Sequence, residues 1–341
     1  GGGGSIGSEL CRQVTCVGIQ RLIILDQSEY NLYSIEKELQ QSRPELQMSC
    51  ELGDICDEAG LEYLFRYYQP DVVFHAAAYK HVPMLENKVR EAVRNNIIGS
   101  WNVAQLADRY GCSDFVMVST DKAVNPGNIM GATKRVAEII CQTLDERSTT
   151  RFITTRFGNV LGSAGSVVPL FRKQIQNGGP VTVTDEHITR YFMTISEACR
   201  LILQTTVMVN GGEIFVLDMG EPVKVLYLAE QMIRLSGKIP EEEIKIEFTG
   251  LRPGEKLHEE LFHTDENLTD TRHEKVMLAT SRKTDWKTLT KIMDEFNQAV
   301  VEFDNEALKE LILRLVPEMT QNNSEIENTA DAPVVAALPG E

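Results

Sequence analysis

No run of apolar residues in this 341-residue chain reaches the length of a membrane span, and no signal peptide can be identified in it. Basic residues are also fewer than acidic ones. The chain has 34 lysines and arginines and 50 aspartates and glutamates, which gives a net charge of −16. This balance disfavours nucleic acids and anionic membranes as general partners. An anionic ligand would therefore need local arginines. The chain is long enough to bury a large core and to form two lobes.

Cysteines are present, but their spacing lacks any pairing pattern. The seven cysteines contain no Cys-x-x-Cys spacing and are odd in number. Neither a zinc site nor a disulfide framework fits this arrangement. We therefore expect reduced thiols, a cytoplasmic location and no metal ion.

A tyrosine is missing from the most informative part of the chain. Ser119-Thr120-Asp121-Lys122 is followed at a fixed distance by Met130-Gly131-Ala132-Thr133-Lys134. This pattern resembles the Ser/Thr and Tyr-x-x-x-Lys of short-chain dehydrogenases/reductases (SDRs), with Met130 in place of the tyrosine. Because a thioether cannot carry a proton, we expect Met130 to pack in the core and the chemistry to rest on Thr120, Asp121 and Lys122.

The residues around this motif predict a strand and a helix. Asp114–Ser119 is a short apolar run that ends in polar residues, as in a buried parallel strand whose carboxyl end faces a ligand. The following helix, over residues 130–144, places Met130 and Lys134 one turn apart on the same face. From spacing alone, the acid and the lysine of the motif fit a solvated turn equally well.

A glycine-rich segment opens the chain, and a helix is predicted to begin near Ser5. The spacing of its glycines suits a turn beside which the free N–H groups of the helix bind a pyrophosphate. The expected cofactor-binding residues are Gly1, Gly4, Ser5, Ile6 and Gly7. A glycine run can equally be a linker. The apolar strand 21–26 favours the first interpretation, because it ends in an acid where a dinucleotide fold needs one. We expect Asp26 to bind the adenosine ribose and to favour NAD over NADP.

Two further segments are expected to contact the cofactor. Asp54 and Ile55 follow a short run and suit the surroundings of the adenine. Residues 71–78 predict a strand that ends in Ala76, Ala77 and Ala78, whose small side chains permit close approach of the backbone.

Strands and helices alternate through residue 160, which predicts an α/β fold with a Rossmann-like, doubly wound parallel sheet in residues 1–160. A dinucleotide fold needs a buried strand before its glycines, so we expect a further strand upstream of Gly1. Glycine- and proline-punctuated segments predict a smaller lobe formed mainly by residues 161–318, with later segments returning to the sheet. The aperiodic segment 319–341 is predicted to be a disordered tail.

Seven ordered blocks resemble one known family. They are GGGGSIGSEL (1–10), HAAAYKHVPMLE (75–86), NNIIGSWNV (95–103), STDKAVNPGNIMGATKR (119–135), RFGNVLGSAGSVVPLF (156–171), ITRYFMTISEA (188–198) and GLRPGEKLHEEL (250–261). Residues 1–318 are thereby similar to the retaining UDP-N-acetylglucosamine 4,6-dehydratases, extended SDRs of the large membrane-anchored class in bacterial polysaccharide and glycan biosynthesis. Met in place of Tyr is a feature of that class.

The resemblance implies a lyase that works with one tightly held NAD. Hydride would leave position 4 of the sugar, water would be lost across positions 5 and 6, and the hydride would return to position 6. The product would be UDP-2-acetamido-2,6-dideoxy-α-D-xylo-hexos-4-ulose. Matched positions put Thr120 beside the 4-hydroxyl, make Asp121 the acid for the departing 6-hydroxyl, and make Lys122 the base at position 5.

These roles set requirements on pKa values. Burial should raise the pKa of Asp121, while burial and nearby positive charge should lower that of Lys122. The resemblance also assigns Lys134 to the nicotinamide ribose and Asn96 to the cofactor. Thr120 is too weak an acid to act as a base unaided, so a relay through Asp121, Lys122 or water is left open for the 4-hydroxyl proton.

The remaining matched positions concern the UDP-sugar substrate. Arginine suits phosphate because it makes bidentate, always-charged contacts, although spacing alone would favour a surface ion pair. The expected substrate-binding residues are Lys80 and His81 at the sugar, Asn159, Ser166 and Val167 near the nucleotide, Arg190 and Arg252 on the diphosphate, and Glu255 beside them.

Two alternatives to the dehydratase stay open. A UDP-sugar 4-epimerase shares the fold and NAD but needs no base at position 5, and a regulatory module would bind the cofactor without catalysis. The resemblance further implies a homo-oligomer and a full-length protein anchored in the inner membrane through an upstream region, with this part at the cytoplasmic face.

Overall fold

The computed structural model describes residues 1–208, 211–263, 266, 268–279 and 284–319. The segment predicted to be a disordered tail lies outside the described residues except for Met319. The strands are β1 (Arg21–Asp26), β2 (Gln47–Leu52), β3 (Val72–His75), β4 (Asp114–Val118), β5 (Arg151–Arg156), β6 (Asn159–Leu161), β7 (Val181–Val183), β8 (Thr189–Arg190), β9 (Phe192–Thr194), β10 (Ile214–Leu217), β11 (Val223–Lys224), β12 (Ile246–Phe248), β13 (Leu268–Asp270) and β14 (Val276–Ala279). The helices are α1 (Ser5–Val14), α2 (Glu29–Ser42), α3 (Glu58–Tyr68), α4 (Val82–Glu86), α5 (Val89–Ala92), α6 (Ser100–Arg109), α7 (Ile129–Asp145), α8 (Val167–Gln176), α9 (Ile195–Thr205), α10 (Val225–Leu235), α11 (Trp286–Glu302) and α12 (Asn305–Leu315), with a π-helical segment at Val93–Gly99 and a 3₁₀ turn at Asp121–Ala123.

The predicted α/β fold with a parallel, doubly wound sheet is confirmed. Strands β3, β4, β5 and β10 lie side by side in that order and run parallel, and β14 and β13 extend the sheet in antiparallel fashion. The strands are covered on both faces. Phe115 and Met117 of β4 pack with residues of α6, α7, α11 and α12, whereas Val116 between them packs with residues of α1 and α9.

Strands β1 and β2 form a separate parallel pair. In the described part of the chain, the glycine turn lies between this pair and β3. The N–H of Gly2 donates to the carbonyl of Leu25 at 3.0 Å, and a Cβ on Gly1 would stand 2.6 Å from the backbone nitrogen of Ala77. The strand expected upstream of Gly1 stays a prediction.

The second lobe lies beside the carboxyl ends of the sheet. Its parallel strands β7 and β12 pack with α8 and α10 around a cluster of buried residues that includes Phe171, Val183, Ala229 and Ile233. Not all of the segment 161–318 belongs to this lobe. Strands β10, β13 and β14 join the sheet, and α9, α11 and α12 cover its faces, so the chain returns to the first domain.

Among the described residues, no helix combines the length and the apolar character that crossing a membrane requires.

Candidate active site

A cavity of about 960 Å³ lies where the carboxyl ends of the parallel strands face the second lobe. Ligands of open α/β sheets bind at this edge. Of the residues predicted from sequence, this cavity is lined by Gly4, Ser5, Ile6, Gly7, Ala76, Ala78, Lys80, His81, Thr120, Lys122, Met130, Lys134, Asn159, Ser166, Val167, Arg190, Arg252 and Glu255. A neighbouring cavity of about 190 Å³ is lined by Gly1, Gly4, Asp26, Ile55, Ala76, Ala77 and Ala78. Asp54, Asn96 and Asp121 line neither cavity.

The glycine turn and the start of α1 fit a pyrophosphate. Gly4 is the N-cap residue and has no side chain to bond the first N–H groups of the helix, which open toward the cavity. Gly7 packs so closely on the turn that a Cβ would stand 2.0 Å from the carbonyl oxygen of Gly1. The hydroxyl of Ser5 accepts a hydrogen bond from the N–H of Ala164 at 3.1 Å, which ties α1 to the loop before α8.

Asp26 ends β1 and lines the smaller cavity. Its carboxylate accepts hydrogen bonds from the N–H of Gly3 at 2.9 Å and of Ser28 at 2.8 Å, one on each oxygen. Since each oxygen has a second lone pair, the carboxylate is held in place with acceptor capacity left for ribose hydroxyls.

Asp54, which was expected to contact the cofactor, is bonded to other parts of the protein. The Asp54 carboxylate accepts from the N–H of Cys56 at 2.9 Å and pairs with Arg94 at 2.9 Å. Burial opposes ionisation of Asp54, but these hydrogen bonds prevail and lower its pKa. Ile55, by contrast, does line the smaller cavity.

Asn96 also departs from the sequence-based expectation. Its amide nitrogen donates to the carbonyl of Tyr79 and to Thr133 Oγ1, both at 3.0 Å. Its amide oxygen accepts from the N–H of Tyr79 at 2.8 Å and from Asn95 at 3.0 Å. The side chain is thus fully engaged and only 1% of the residue is exposed, so we correct its role from ligand contact to holding the loop after β3 against α7. Asn95 lines the smaller cavity instead.

The Thr-Asp-Lys turn follows β4 and forms one hydrogen-bonded chain. Thr120 Oγ1 donates to Asp121 Oδ1 at 2.9 Å, and Lys122 Nζ donates to the same oxygen at 2.9 Å. Asp121 is fully buried, and its second oxygen, Oδ2, has no hydrogen-bond partner among the described residues. Lys122 Nζ also donates to Asn159 Oδ1 at 3.2 Å.

The pKa expected for Lys122 is corrected by the structure. Burial alone lowers the pKa of this amine, but the nearby carboxylates of Asp121 and Glu259 outweigh burial and raise it. The positive charge of Arg190 opposes them and is too weak to reverse the direction. Lys122 therefore rests as an ammonium ion.

Helix α7 presents Met130 and Lys134 to the cavity, one turn apart as expected. Met130 is 3% exposed and packs in the main apolar cluster. Lys134 Nζ lies 3.7 Å from the sulfur of Met117, a weak acceptor, and burial lowers the pKa of Lys134 to about 8. The helix approaches the Thr-Asp-Lys turn closely, since a Cβ on Gly131 would stand 2.0 Å from the carbonyl oxygen of Lys122.

Sequence analysis did not identify the buried ion pair between Glu138 of this helix and Arg156. Glu138 of α7 accepts from Arg156 Nε and Nη2, both at 2.8 Å, and from Ser119 Oγ at 2.6 Å. Burial opposes the charge of Glu138, but Arg156 and its neighbour Arg135 lower the pKa of Glu138 to about 2. Arg156 also pairs with Glu266 at 2.7 Å. The spacing of Glu138, one turn after Lys134, was the available signal.

The two predicted arginines differ in their surroundings. Arg190 is 6% exposed, and its guanidinium donates to the carbonyls of Thr189, Leu257 and Lys256 at 2.7 to 3.1 Å. The side chain of Arg252 is 58% exposed and pairs with Glu255 at 3.1 Å. Arg252 can therefore turn toward an anionic ligand, whereas Arg190 holds the loop 251–261 in place.

The remaining predicted substrate residues converge on the same cavity. Lys80 Nζ donates to Ser163 Oγ at 3.3 Å, and burial lowers the pKa of Lys80. Burial also lowers the pKa of His81, with help from the positive charges of Lys80 and Arg252. Ser166 is the N-cap residue of α8, and its buried hydroxyl has no partner in the part of the chain described. An unpartnered hydroxyl beside free helix N–H groups is suited to a ligand.

A further acidic residue, Glu259, completes the cavity wall. It lies 3.6 Å from Lys122 Nζ and 3.9 Å from Arg190 Nε, and only 7% of the residue is exposed. It belongs to the last of the seven blocks, in which only Arg252 and Glu255 drew attention. The paired acids Glu259 and Glu260 were the signal present in the sequence.

Comparison with known proteins places the chain in a family. The family described as "Polysaccharide biosynthesis protein" matches residues 1–281. The chain belongs to this family.

Curated members and relatives of this polysaccharide biosynthesis family are similar over most of the chain. The chain is 48% identical over 299 residues to the probable polysaccharide biosynthesis protein EpsC of Bacillus subtilis (strain 168), covering 87% of this chain and 50% of EpsC. It is 52% identical over 278 residues to the capsular polysaccharide biosynthesis protein CapD of Staphylococcus aureus, covering 81% and 46%. The chain thus spans about half the length of the curated relatives it matches.

A relative with a named reaction is more distant. The UDP-N-acetylglucosamine 4,6-dehydratase (inverting) of Campylobacter jejuni (strain 81-176) is 36% identical over 221 residues, covering 63% of each chain. Among solved structures, Pen from Bacillus thuringiensis is 34% identical with a TM-score of 0.76, covering 84% of this chain and 87% of Pen. The dTDP-glucose 4,6-dehydratase DesIV of Streptomyces venezuelae, with NAD and TYD bound, shares the fold at 23% identity and a TM-score of 0.66, covering 76% and 86%.

Proposed function

We propose that this chain catalyses the NAD-dependent 4,6-dehydration of UDP-N-acetylglucosamine to UDP-2-acetamido-2,6-dideoxy-α-D-xylo-hexos-4-ulose. The observation that carries the proposal is the hydrogen-bonded chain Thr120–Asp121–Lys122 at the edge of the large cavity, with Lys134 beside it. It sets an acid and an amine side by side, as elimination of water requires. The relationship to a UDP-N-acetylglucosamine 4,6-dehydratase supports the choice of substrate.

The residues present fit the dinucleotide NAD. The glycine turn and the start of α1 suit its pyrophosphate, Asp26 suits the adenosine ribose, and Lys134 has donors left for the nicotinamide ribose. When bound, the cofactor supplies a group that accepts hydride from position 4 of the sugar and returns it to position 6.

We assign to the three site residues the roles that the family resemblance implies. Thr120 holds the 4-hydroxyl of the sugar, Asp121 protonates the departing 6-hydroxyl, and Lys122 removes the proton at position 5. The ammonium of Lys122 must first lose a proton, because two carboxylates raise its pKa in the resting structure. We assign the diphosphate to Arg190 and Arg252, which both line the cavity. Ser166, at the N-terminus of α8, is assigned to the nucleotide, and its hydroxyl has no partner among the described residues.

Substrate deuterated at position 4 tests the proposal. A dehydratase delivers the label to position 6 of the product, because the same cofactor returns it after water has left. In heavy water the product should also gain deuterium at position 5, since Lys122 exchanges its protons with solvent. Proton NMR and mass spectrometry of the product read both positions.

A variant and two contrary outcomes sharpen this test. Lys122→Met should abolish water loss while the oxidation at position 4 remains possible, so absorbance of reduced nicotinamide should rise when substrate is added. A product with the mass of the substrate and the label still at position 4 would identify a 4-epimerase. Wild-type protein that holds NAD and leaves the substrate unchanged would identify a regulatory module.

The setting of this activity in the full-length protein is part of the proposal. Because the chain spans about half of EpsC and CapD, the homo-oligomer, the upstream membrane anchor and the position at the cytoplasmic face stay predictions.

A further inference from the structure

Lys122 contacts a second buried carboxylate besides that of Asp121. Its Nζ lies 2.9 Å from Asp121 Oδ1 and 3.6 Å from Glu259 Oε1. The Glu259 side chain is 3% exposed, and its other oxygen, Oε2, is buried without a hydrogen-bond partner among the described residues. A buried carboxylate oxygen that lacks a partner is costly, so a function for it is expected.

Several charged groups face Glu259 from the elements around it. Burial raises the pKa of Glu259, and the negative charge of Asp121 adds to this effect. The positive charges of Lys122, Arg190 and Lys256 oppose the rise without cancelling it. Glu259 therefore accepts a proton more readily than an exposed glutamate does.

A path of polar groups leads toward this carboxylate, with hydrogen bonds as far as Lys122 and an ion-pair separation of 3.6 Å from Lys122 Nζ to Glu259 Oε1. Thr120 Oγ1 and Lys122 Nζ both hydrogen-bond Asp121 Oδ1 at 2.9 Å, and Lys122 also contacts Glu259. Thr120 is the residue assigned above to the 4-hydroxyl of the sugar. A proton that enters at Thr120 can consequently be shared among Asp121, Lys122 and Glu259.

Counting protons shows why one carboxylate is not enough for the proposed reaction. The resting site of the proposal holds one titratable proton, on Lys122, whose Nζ lies 2.9 Å from Asp121 and 3.6 Å from Glu259. Oxidation at position 4 releases a second proton, from the 4-hydroxyl. With Asp121 as the sole acceptor, Lys122 would remain an ammonium and could not remove the proton at position 5.

We propose that Glu259 accepts a proton from Lys122 during oxidation at position 4 and so converts Lys122 into a base. The inference rests on the proposed dehydration. The 4-hydroxyl O–H bond breaks and its proton passes to Thr120, while the Thr120 hydroxyl proton passes to Asp121. One N–H bond of Lys122 breaks, and that proton binds Glu259. The site then contains protonated Asp121, neutral Lys122 and protonated Glu259.

The later steps return the site to its starting state. Lys122 takes the proton from position 5, and Asp121 gives its proton to the departing 6-hydroxyl, which leaves as water. As hydride is returned to position 6, Lys122 gives its proton back to position 5. Glu259 then returns its proton to Lys122, so the oxygen and the protons of one water molecule leave and the enzyme is unchanged.

Glu259→Gln tests this role, with Glu260→Gln as the matched control. Glu260 is the neighbouring acid, and its side chain is 50% exposed. At neutral pH, turnover of Glu259→Gln should fall by about 100-fold, the usual contribution of a proton-transfer group, while KM changes little. Reduced nicotinamide should accumulate on addition of substrate. Turnover should recover as the pH is raised, because Lys122 then loses its proton to solvent. Glu260→Gln should behave as the wild type.

Each contrary result has a distinct meaning. Wild-type-like turnover of Glu259→Gln at every pH, a loss that pH does not relieve, or an equal loss in Glu260→Gln would overturn the role of Glu259. Absence of the 4-keto-6-deoxy product from the wild-type reaction would instead overturn the proposed function.

A second measurement leaves position 259 unchanged and so does not depend on the folding of the glutamine variant. Infrared difference spectra on addition of the 6-deoxy analogue of the substrate, which can be oxidised at position 4 but has no 6-hydroxyl to lose, should show two carboxyl groups gaining protons in the wild type. Lys122→Met should show one, because Glu259 then has no lysine to supply a proton. Equal signals from the two proteins would overturn the role of Glu259.

Discussion

Helix α7, which carries Met130 and Lys134, is fastened to the rest of the protein by the buried carboxylate of its own residue Glu138. That carboxylate accepts two hydrogen bonds from Arg156 at 2.8 Å, one from Arg135 at 3.1 Å and one from Ser119 at 2.6 Å. Ser119 directly precedes the Thr-Asp-Lys turn, so Glu138 connects the end of β4 to the helix that presents Lys134. Glu138→Gln keeps the shape of the side chain and removes its charge.

We expect Glu138→Gln to lower the free energy of unfolding by about 3 kcal/mol. The arginines lower the pKa of Glu138 from 4.5 to about 2 against the effect of burial, which corresponds to about 3 kcal/mol in favour of the ionised form. Loss of the charge also leaves Arg156, whose side chain is 1% exposed, with Glu266 as its remaining carboxylate partner among the described residues. Removing one partner of a buried ion pair typically costs about 3–5 kcal/mol.

The lowered pKa also sets the pH range of this effect. A carboxylate whose pKa is depressed on folding stabilises the folded state fully above its unfolded pKa of 4.5, and this contribution is lost as the pH falls through the folded value of about 2. The difference between wild type and Glu138→Gln should therefore be complete at neutral pH and should shrink under acidic conditions.

Urea denaturation followed by circular dichroism measures the effect, with Glu306→Gln as a control on α12. The Glu306 side chain is 80% exposed and pairs with Lys309, so its loss should change stability by about 0.5 kcal/mol or less. A loss in Glu138→Gln no greater than in Glu306→Gln would refute the structural role.

Two further predictions concern the cofactor. Met130→Leu, which conserves volume and apolarity in a side chain 3% exposed, should keep substantial activity, while Lys134→Ala should weaken NAD binding measured by calorimetry. A folded, cofactor-loaded Met130→Leu without activity would show that the thioether does more than pack. Because Asp26 faces the smaller cavity, the protein should bind NAD(H) far more tightly than NADP(H), since a 2′-phosphate would meet a carboxylate; equal affinity for the two would contradict its assignment.

Local pattern was sufficient for the elements that carry the site. The strand predicted over 21–26 is β1 with the same bounds, and the helix predicted over 130–144 is α7, Ile129–Asp145. Such segments are predictable because a buried strand and an amphipathic helix each have a period that their own side chains display. The same holds for Thr120, Lys122 and Lys134, which all line one cavity, because the residues that follow a parallel strand lie at the ligand-binding edge of the sheet and all three follow β4.

Only the tertiary structure decided the electrostatics of the site. Burial lowers the pKa of Lys122, and its neighbour Asp121 together with Glu259 raises it. A distant loop brings Glu259 to 3.6 Å, and no local spacing reports that second contact. The role of Asn96 was likewise not predictable from local sequence. Its hydrogen-bond partners Tyr79 and Thr133 lie on separate segments, and together they occupy the donors and the acceptor of its side-chain amide. Periodicity and residue type are local properties of a chain, whereas the charge state of a buried amine depends on every group that folding brings near it.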